Sequence, residues 1–142
     1  MGEREGNMTD KATGKVMYQK ALDFINKRYP TGWGGCAIMR TEDDQYLISV
    51  YLESSNDAAN LCMETGAMCE AQKYDLKVTH SLCMSRKSES EEPLILTACG
   101  ICQERLMFWG EDVKVAISNP DNEIIFKTLK ELSPFYWRNA FK

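Results

Sequence analysis

The sequence predicts an α/β domain, a sheet of about five strands covered by helices in the order α-β-β-α-β-α-β-β-α. Three observations carry that expectation. Apolar residues recur at helical spacing in some segments and gather into short strand-like runs in others. The connection "NPDN", residues 119–122, is too short for a parallel crossover, so the last two strands should be antiparallel neighbours. Finally, 142 residues with 44% hydrophobic and 27% charged side chains suit one globular domain with a real core, and are short for two.

Residues 1–11 are charged and polar and read as a disordered tail, leaving 12–142 as a single domain. From about residue 13 to 28, Val16, Tyr18, Ala21, Leu22, Phe24 and Ile25 mark one face of a helix, which "YPTGWGG" ends. "CAIMRT" and "QYLISVYL" read as two strands around the hairpin loop "EDD". "SSND" offers Asn56 or Asp57 as a cap for a helix over about 58–74. "KVTHSLCMS" is a strand, and "RKSESEEP" a charged, solvated loop. A short helix opens at Cys99 and runs to about Trp109, followed by the strands "VKVAIS" and "EIIFKTL". "ELSPFYWRNAF" closes the chain with four aromatics and a Pro that bends or breaks it.

Charge and composition narrow the function classes. A net charge of −4 without a Lys/Arg stripe argues against binding a nucleic-acid polymer, because counterion release has nothing to draw on. The polar start is no signal peptide, Gly6 stands where a myristoylation motif wants Ser or Thr, and no apolar run approaches a bilayer's thickness. The expected compartment is the cytoplasm, without membrane attachment. There six cysteines are thiols or metal ligands, not a disulfide framework.

The chemistry concentrates in two segments, "LCMETGAMCEA" (61–71) and "LTACGICQERL" (96–106). Cys99-x-x-Cys102 fits either two zinc ligands or a redox pair. Cys62 would make a third thiolate at the start of another helix, where N–H groups and the dipole favour anions. Three protein ligands leave tetrahedral zinc one open position, as in catalytic sites. A fourth is hard to find. Cys69 lies seven residues past Cys62, about 10 Å along a helix axis, and Cys36, Cys83 and the single histidine, His80, fall inside strands and read as core. Glu64, two residues from Cys62, can face the open position without binding the metal and act as a proton carrier.

This pattern resembles the zinc nucleobase-deaminase signature: C-x-E on one helix, C-x-x-C opening the next, and a Glu that moves protons. Here it is Cys62-Met63-Glu64 and Ala98-Cys99-Gly100-Ile101-Cys102. With Cys as first ligand and the tight "NPDN" hairpin, it is similar to the free-nucleoside branch, the cytidine and blasticidin S deaminases, over roughly 15–137. The resemblance implies a three-layer α-β-α fold, one Zn2+ per chain, a cytosine-type nucleoside substrate and a homo-oligomer, tetrameric in relatives. It implies a sugar-binding role for Glu53, nine residues before Cys62, with Tyr51 where the family has Asn. Trp33, in "GWGGCAI", becomes the aromatic that stacks on a base. Phe135, Tyr136 or Trp137, after Glu131-Leu132-Ser133-Pro134, become contacts to a neighbouring subunit's site. Ala98 replaces the family's Pro, and Gln103-Glu104 its Arg-Gln. Arg105 is then the candidate to offset thiolate charge. Two alternatives stand beside a zinc-dependent hydrolytic deaminase: a catalytically altered relative used as a zinc-stabilised binding protein, and a thiol oxidoreductase built on "CGIC".

Overall fold

The computed structural model describes residues 2–142, with side chains from Thr9 onward. A long helix, α1 (Gly2–Arg28), leads into a hairpin of β1 (Gly34–Thr41) and β2 (Tyr46–Ser49), turned at Asp44 with φ 61°. A 3-10 turn (Asp57–Ala59) precedes α2 (Thr65–Lys73), and β3 (Val78–Arg86), β4 (Leu94–Leu96) and α3 (Gly100–Leu106) follow. After a 3-10 turn (Met107–Trp109) come β5 (Lys114–Ala116), β6 (Phe126–Thr128), the single-turn α4 (Leu129–Leu132) and a last 3-10 turn (Trp137–Phe141).

The sheet has six strands in the order β2-β1-β3-β5-β6, with β4 paired to β3. It is mixed: β3 and β5 are parallel (His80↔Lys114), and β5 and β6 antiparallel (Lys114↔Thr128), as the short turn required. The strand beyond the expected five is β4, three residues of apolar "LIL" hidden behind the charged loop.

Strand alternation divides the core into the two interfaces of an α-β-α sandwich. Cys36 and Ile38 on β1 and Leu82 and Met84 on β3 meet Met17, Ala21 and Ile25 of α1. Met39, Val78 and Val115 face the other way, onto Ala67, Met68 and Ala71 of α2 and Cys102 and Leu106 of α3. The cysteine-bearing helices therefore share one face of the sheet, opposite α1.

Two helix starts depart from expectation. The helix placed at about 58–74 starts only at Thr65, because the preceding stretch pairs with the chain before it: Leu52 and Leu61 exchange both backbone hydrogen bonds at 3.1 Å. Cys62 thus precedes the helix instead of lying within it. The first helix starts well upstream of residue 13. Met1 and the side chains of residues 2–8 lie outside the described residues, but Thr9–Lys11 are helical and Asp10 has partners in the sheet. Its carboxylate meets His80 Nε2 at 3.0 Å and Lys114 Nζ at 2.6 Å. A polar stretch can form an ordered helix when its charges find partners, and composition alone does not report those partners.

Candidate active site

Three cysteine sulfurs converge where α2 and α3 begin. Cys62 directly follows the Leu52–Leu61 bridge and Cys99 is the N-cap of α3. Cys102 sits in the first turn of α3, fully buried. All three Sγ atoms lie within 4.8 Å of one another, and those of Cys62 and Cys99 are 3.6 Å apart. Sulfurs about 2.3 Å from one tetrahedral ion stand about 3.8 Å apart, so the donor set and its spacing fit a zinc ion.

The proton affinities of the three thiols differ by environment. Burial acts to raise that of Cys99, but the Cys102 N–H, the Cys62 and Cys102 thiols and the Ile101 N–H outweigh it and bring the pKa down. Burial first, and then the Cys99 thiol and Glu64 carboxylate, push Cys62 up; burial and the charge of Glu64 also raise Cys102. Helix-start amides therefore favour one thiolate, while the other two release their protons readily only to a cation.

Glu64 is the N-cap of α2 and only 4% exposed. Its carboxylate lies close enough to Cys62, Cys102 and Cys83 to raise all three thiols. Its backbone is held from two sides. Cys62 O accepts the Thr65 N–H at 3.1 Å, and the Ser49 hydroxyl donates to Met63 O, in the peptide immediately before Glu64. The approach of β2 to α2 is close: a Cβ on Gly66 would stand 2.8 Å from Ser49 Cβ.

Trp33 reaches this neighbourhood through a second glycine. A Cβ on Gly35 would meet Met63 Sδ and Trp33 Cζ2, each at 3.0 Å, so the indole and the thioether share the space over Gly35 beside Glu64. Arg105 Nη1 donates to Thr65 Oγ1 at 3.0 Å, a bridge between the two cysteine-bearing helices; among the described residues its guanidinium makes no hydrogen bond to a cysteine sulfur. Glu53 and Tyr51 are exposed on the segment running from β2 to the Leu52–Leu61 bridge. Phe135 is 97% exposed and Trp137 57%, with Trp137 Nε1 on Glu104 at 3.0 Å and Tyr136 half-buried beside it.

Among the solved structures similar to this chain, the cytidine deaminase from Bacillus anthracis shares 46% identity over 91% of this chain and 92% of its own, with a TM-score of 0.89. The chain belongs to the cytidine deaminase family. Two more distant members, from Mycobacterium leprae and Burkholderia pseudomallei, are 16% and 15% identical and share the fold at a TM-score of 0.65. No protein-family model matches the chain. The three-layer architecture expected from the resemblance is thereby shown, with the small difference in strand number noted above.

Within this family member, some neighbours of the site escaped the reading of the sequence. Cys83 was assigned to the core and is buried there, but it points from β3 toward Glu64. Strand alternation held the signal, since Leu82 and Met84 take the α1 face and leave Cys83 for the other. Ser49 and Thr65 carried no signal, because a hydroxyl that bonds one particular carbonyl or guanidinium has no pattern in a sequence. Cys36 is the plain core thiol it was expected to be, buried against Ala21 O with its pKa pushed up to about 12 by burial. His80 is tied to Asp10 and faces α1, away from the cysteines.

Proposed function

We propose that the protein is a zinc-dependent hydrolytic deaminase that converts a cytosine-type nucleoside (cytidine, deoxycytidine or a blasticidin S-like compound) to its uracil-type product and ammonia. The observation that carries this reading is the convergence of Cys62, Cys99 and Cys102 beside the buried Glu64. Those three cysteines hold one Zn2+, which when bound supplies the Lewis acid that makes water nucleophilic near neutral pH.

The residues then divide the work. Glu64 accepts a proton from the attacking water as its oxygen joins C4 of the ring, and delivers it to N3. It next carries the second proton of that water to the exocyclic amine, which leaves as ammonia while the C4 carbonyl forms. Burial of Glu64 keeps bulk water from competing for these protons. Trp33 packs on the base, Glu53 binds a sugar hydroxyl, and Tyr51 lies beside it where relatives carry Asn. Arg105 offsets part of the thiolates' negative charge from across Thr65. Phe135, Tyr136 and Trp137 offer an aromatic surface to a neighbouring copy in a homotetramer, consistent with the exposure of Phe135 and Trp137. Among the described residues no helix is long and apolar enough to cross a membrane; a cytoplasmic location belongs to this proposal.

The test is ammonia release by the zinc-loaded protein from cytidine, deoxycytidine, cytosine and blasticidin S, beside Glu64→Gln. Turnover of one of them that the substitution abolishes supports the reading. No release from any, with one zinc still bound per chain, replaces it with a zinc-stabilised binding protein.

A further inference from the structure

Glu53 is exposed, yet its main chain is fixed on both sides. The peptide before it, Leu52–Glu53, is held through Leu52 O, which accepts the Leu61 N–H at 3.1 Å. The peptide after it, Glu53–Ser54, is held through the Ser54 N–H, which donates to Asn60 Oδ1 at 2.7 Å. Both anchors, Asn60 and Leu61, belong to the two residues that lead directly into Cys62. Between them the chain makes a compact loop with its own bonds: Asn56 Oδ1 caps Ala58 at 3.1 Å, Ala59 N–H reaches Asn56 O at 2.8 Å, and Asn60 N–H reaches Asp57 O at 3.2 Å.

We infer that Asn60 is a positioning residue: its side-chain amide crosses the neck of this loop and sets the Glu53 carboxylate at a fixed place relative to the cysteine cluster. An exposed carboxylate on an untethered loop would have to be ordered each time it gripped a ligand, and that entropy is subtracted from affinity. Pinning both flanking peptides meets this cost in folding, so that only side-chain rotamers remain to be fixed on binding. The backbone bridge at Leu61 needs no particular side chain; the second tether exists only because residue 60 carries a short side chain with an acceptor oxygen. The inference rests on the proposal that Glu53 binds the sugar of the substrate.

The experiment is a double-mutant cycle on the zinc-loaded full chain, with steady-state kinetics on whichever of the four compounds is turned over. Asn60→Ala is expected to raise KM about tenfold while kcat stays within about twofold. Asn60→Asp, which keeps an acceptor oxygen for the Ser54 N–H, should restore KM. In the Glu53→Gln background, Asn60→Ala should add nothing further, because its effect passes through Glu53. If Glu53→Gln raises KM but Asn60→Ala does not, or if the two effects simply add, the positioning role is overturned while the Glu53 reading stands. A loss of bound zinc in Asn60→Asp as well as Asn60→Ala would make Asn60 a support of Cys62 and overturn the inference too. If Glu53→Gln leaves KM unchanged, or no compound is turned over, the reading of Glu53 falls and this inference falls with it.

Discussion

The sulfurs of Cys62 and Cys99 meet at 3.6 Å although 37 residues separate them in the chain. Two strands, β3 and β4, lie between, so the contact forms only when the sheet is assembled. A metal bound there links distant parts of the chain and stabilises the folded state by mass action. Stripping the protein with a strong chelator should lower its thermal midpoint by on the order of 10 °C, and added zinc should restore it. Cys99→Ser should bind less than one zinc per chain and show little response to the chelator. Calorimetry with metal analysis checks both.

Glu64→Gln removes the proposed proton carrier and keeps the side chain's shape. Its kcat should fall by about 10²- to 10⁴-fold, the usual contribution of a positioned acid–base group, with one zinc still bound. Ammonia release under substrate saturation, paired with metal content, separates a lost proton carrier from a lost metal.

Gly66→Ala should destabilise the fold by about 1–3 kcal/mol despite alanine's better helix propensity. The added Cβ would stand 2.8 Å from Ser49 Cβ, an atom fixed to the β2 backbone that cannot swing aside. Urea unfolding measures the loss. Because Ser49 also holds the peptide before Glu64, kcat of the folded variant should drop with it.

Acidification should weaken the fold through His80. Burial lowers its pKa from 6.5, aided by the charges of Arg40 and Lys114, and Asp10 pulls only part of the way back. A base with a depressed folded pKa binds its proton first in the unfolded chain, so stability is present above about 6.5 and declines as pH falls toward the folded value. Asp10, whose burial is outweighed by Lys114 and His80, is also depressed from 3.8 and acts in the same direction at lower pH. Between pH 7.5 and 5 the free energy of unfolding should fall, by no more than about 1.4 kcal/mol per pH unit. In His80→Gln the fall over the same window should be smaller; urea titrations of both proteins at several pH values give the comparison.

How far the sequence spoke depended on whether a feature is local. The β1–β2 hairpin, β3 and the β5–β6 pair were legible as short apolar runs set off by turn residues, because strands buried on both faces draw apolar residues at successive positions. The cysteine cluster was legible from spacing, since a pair three apart at a helix start shares one face of that helix. What stayed hidden was set by long-range partners. β4 is three residues long and hydrogen-bonds to β3 across a charged loop, below the length at which alternation is visible. Ala58 and Ala59 do make a single 3-10 turn, yet Leu61 pairs with Leu52 and the α-helix waits until Thr65. Tertiary pairing overrode local preference there, as it does wherever backbone groups have a better partner than the next helical turn.

The grip of Asp10 on His80 and Lys114 bears on how the protein is handled at the bench. Charge patterning alone invites trimming the polar leader before expression, and a cut after Lys11 looks harmless on paper. It would take Asp10 away and leave Lys114 facing a buried imidazole that has lost its carboxylate. In the trimmed protein the Lys114 ammonium would sit near that imidazole with no carboxylate between them, so the contacts of Asp10, not the polarity of its neighbours, mark where the domain begins.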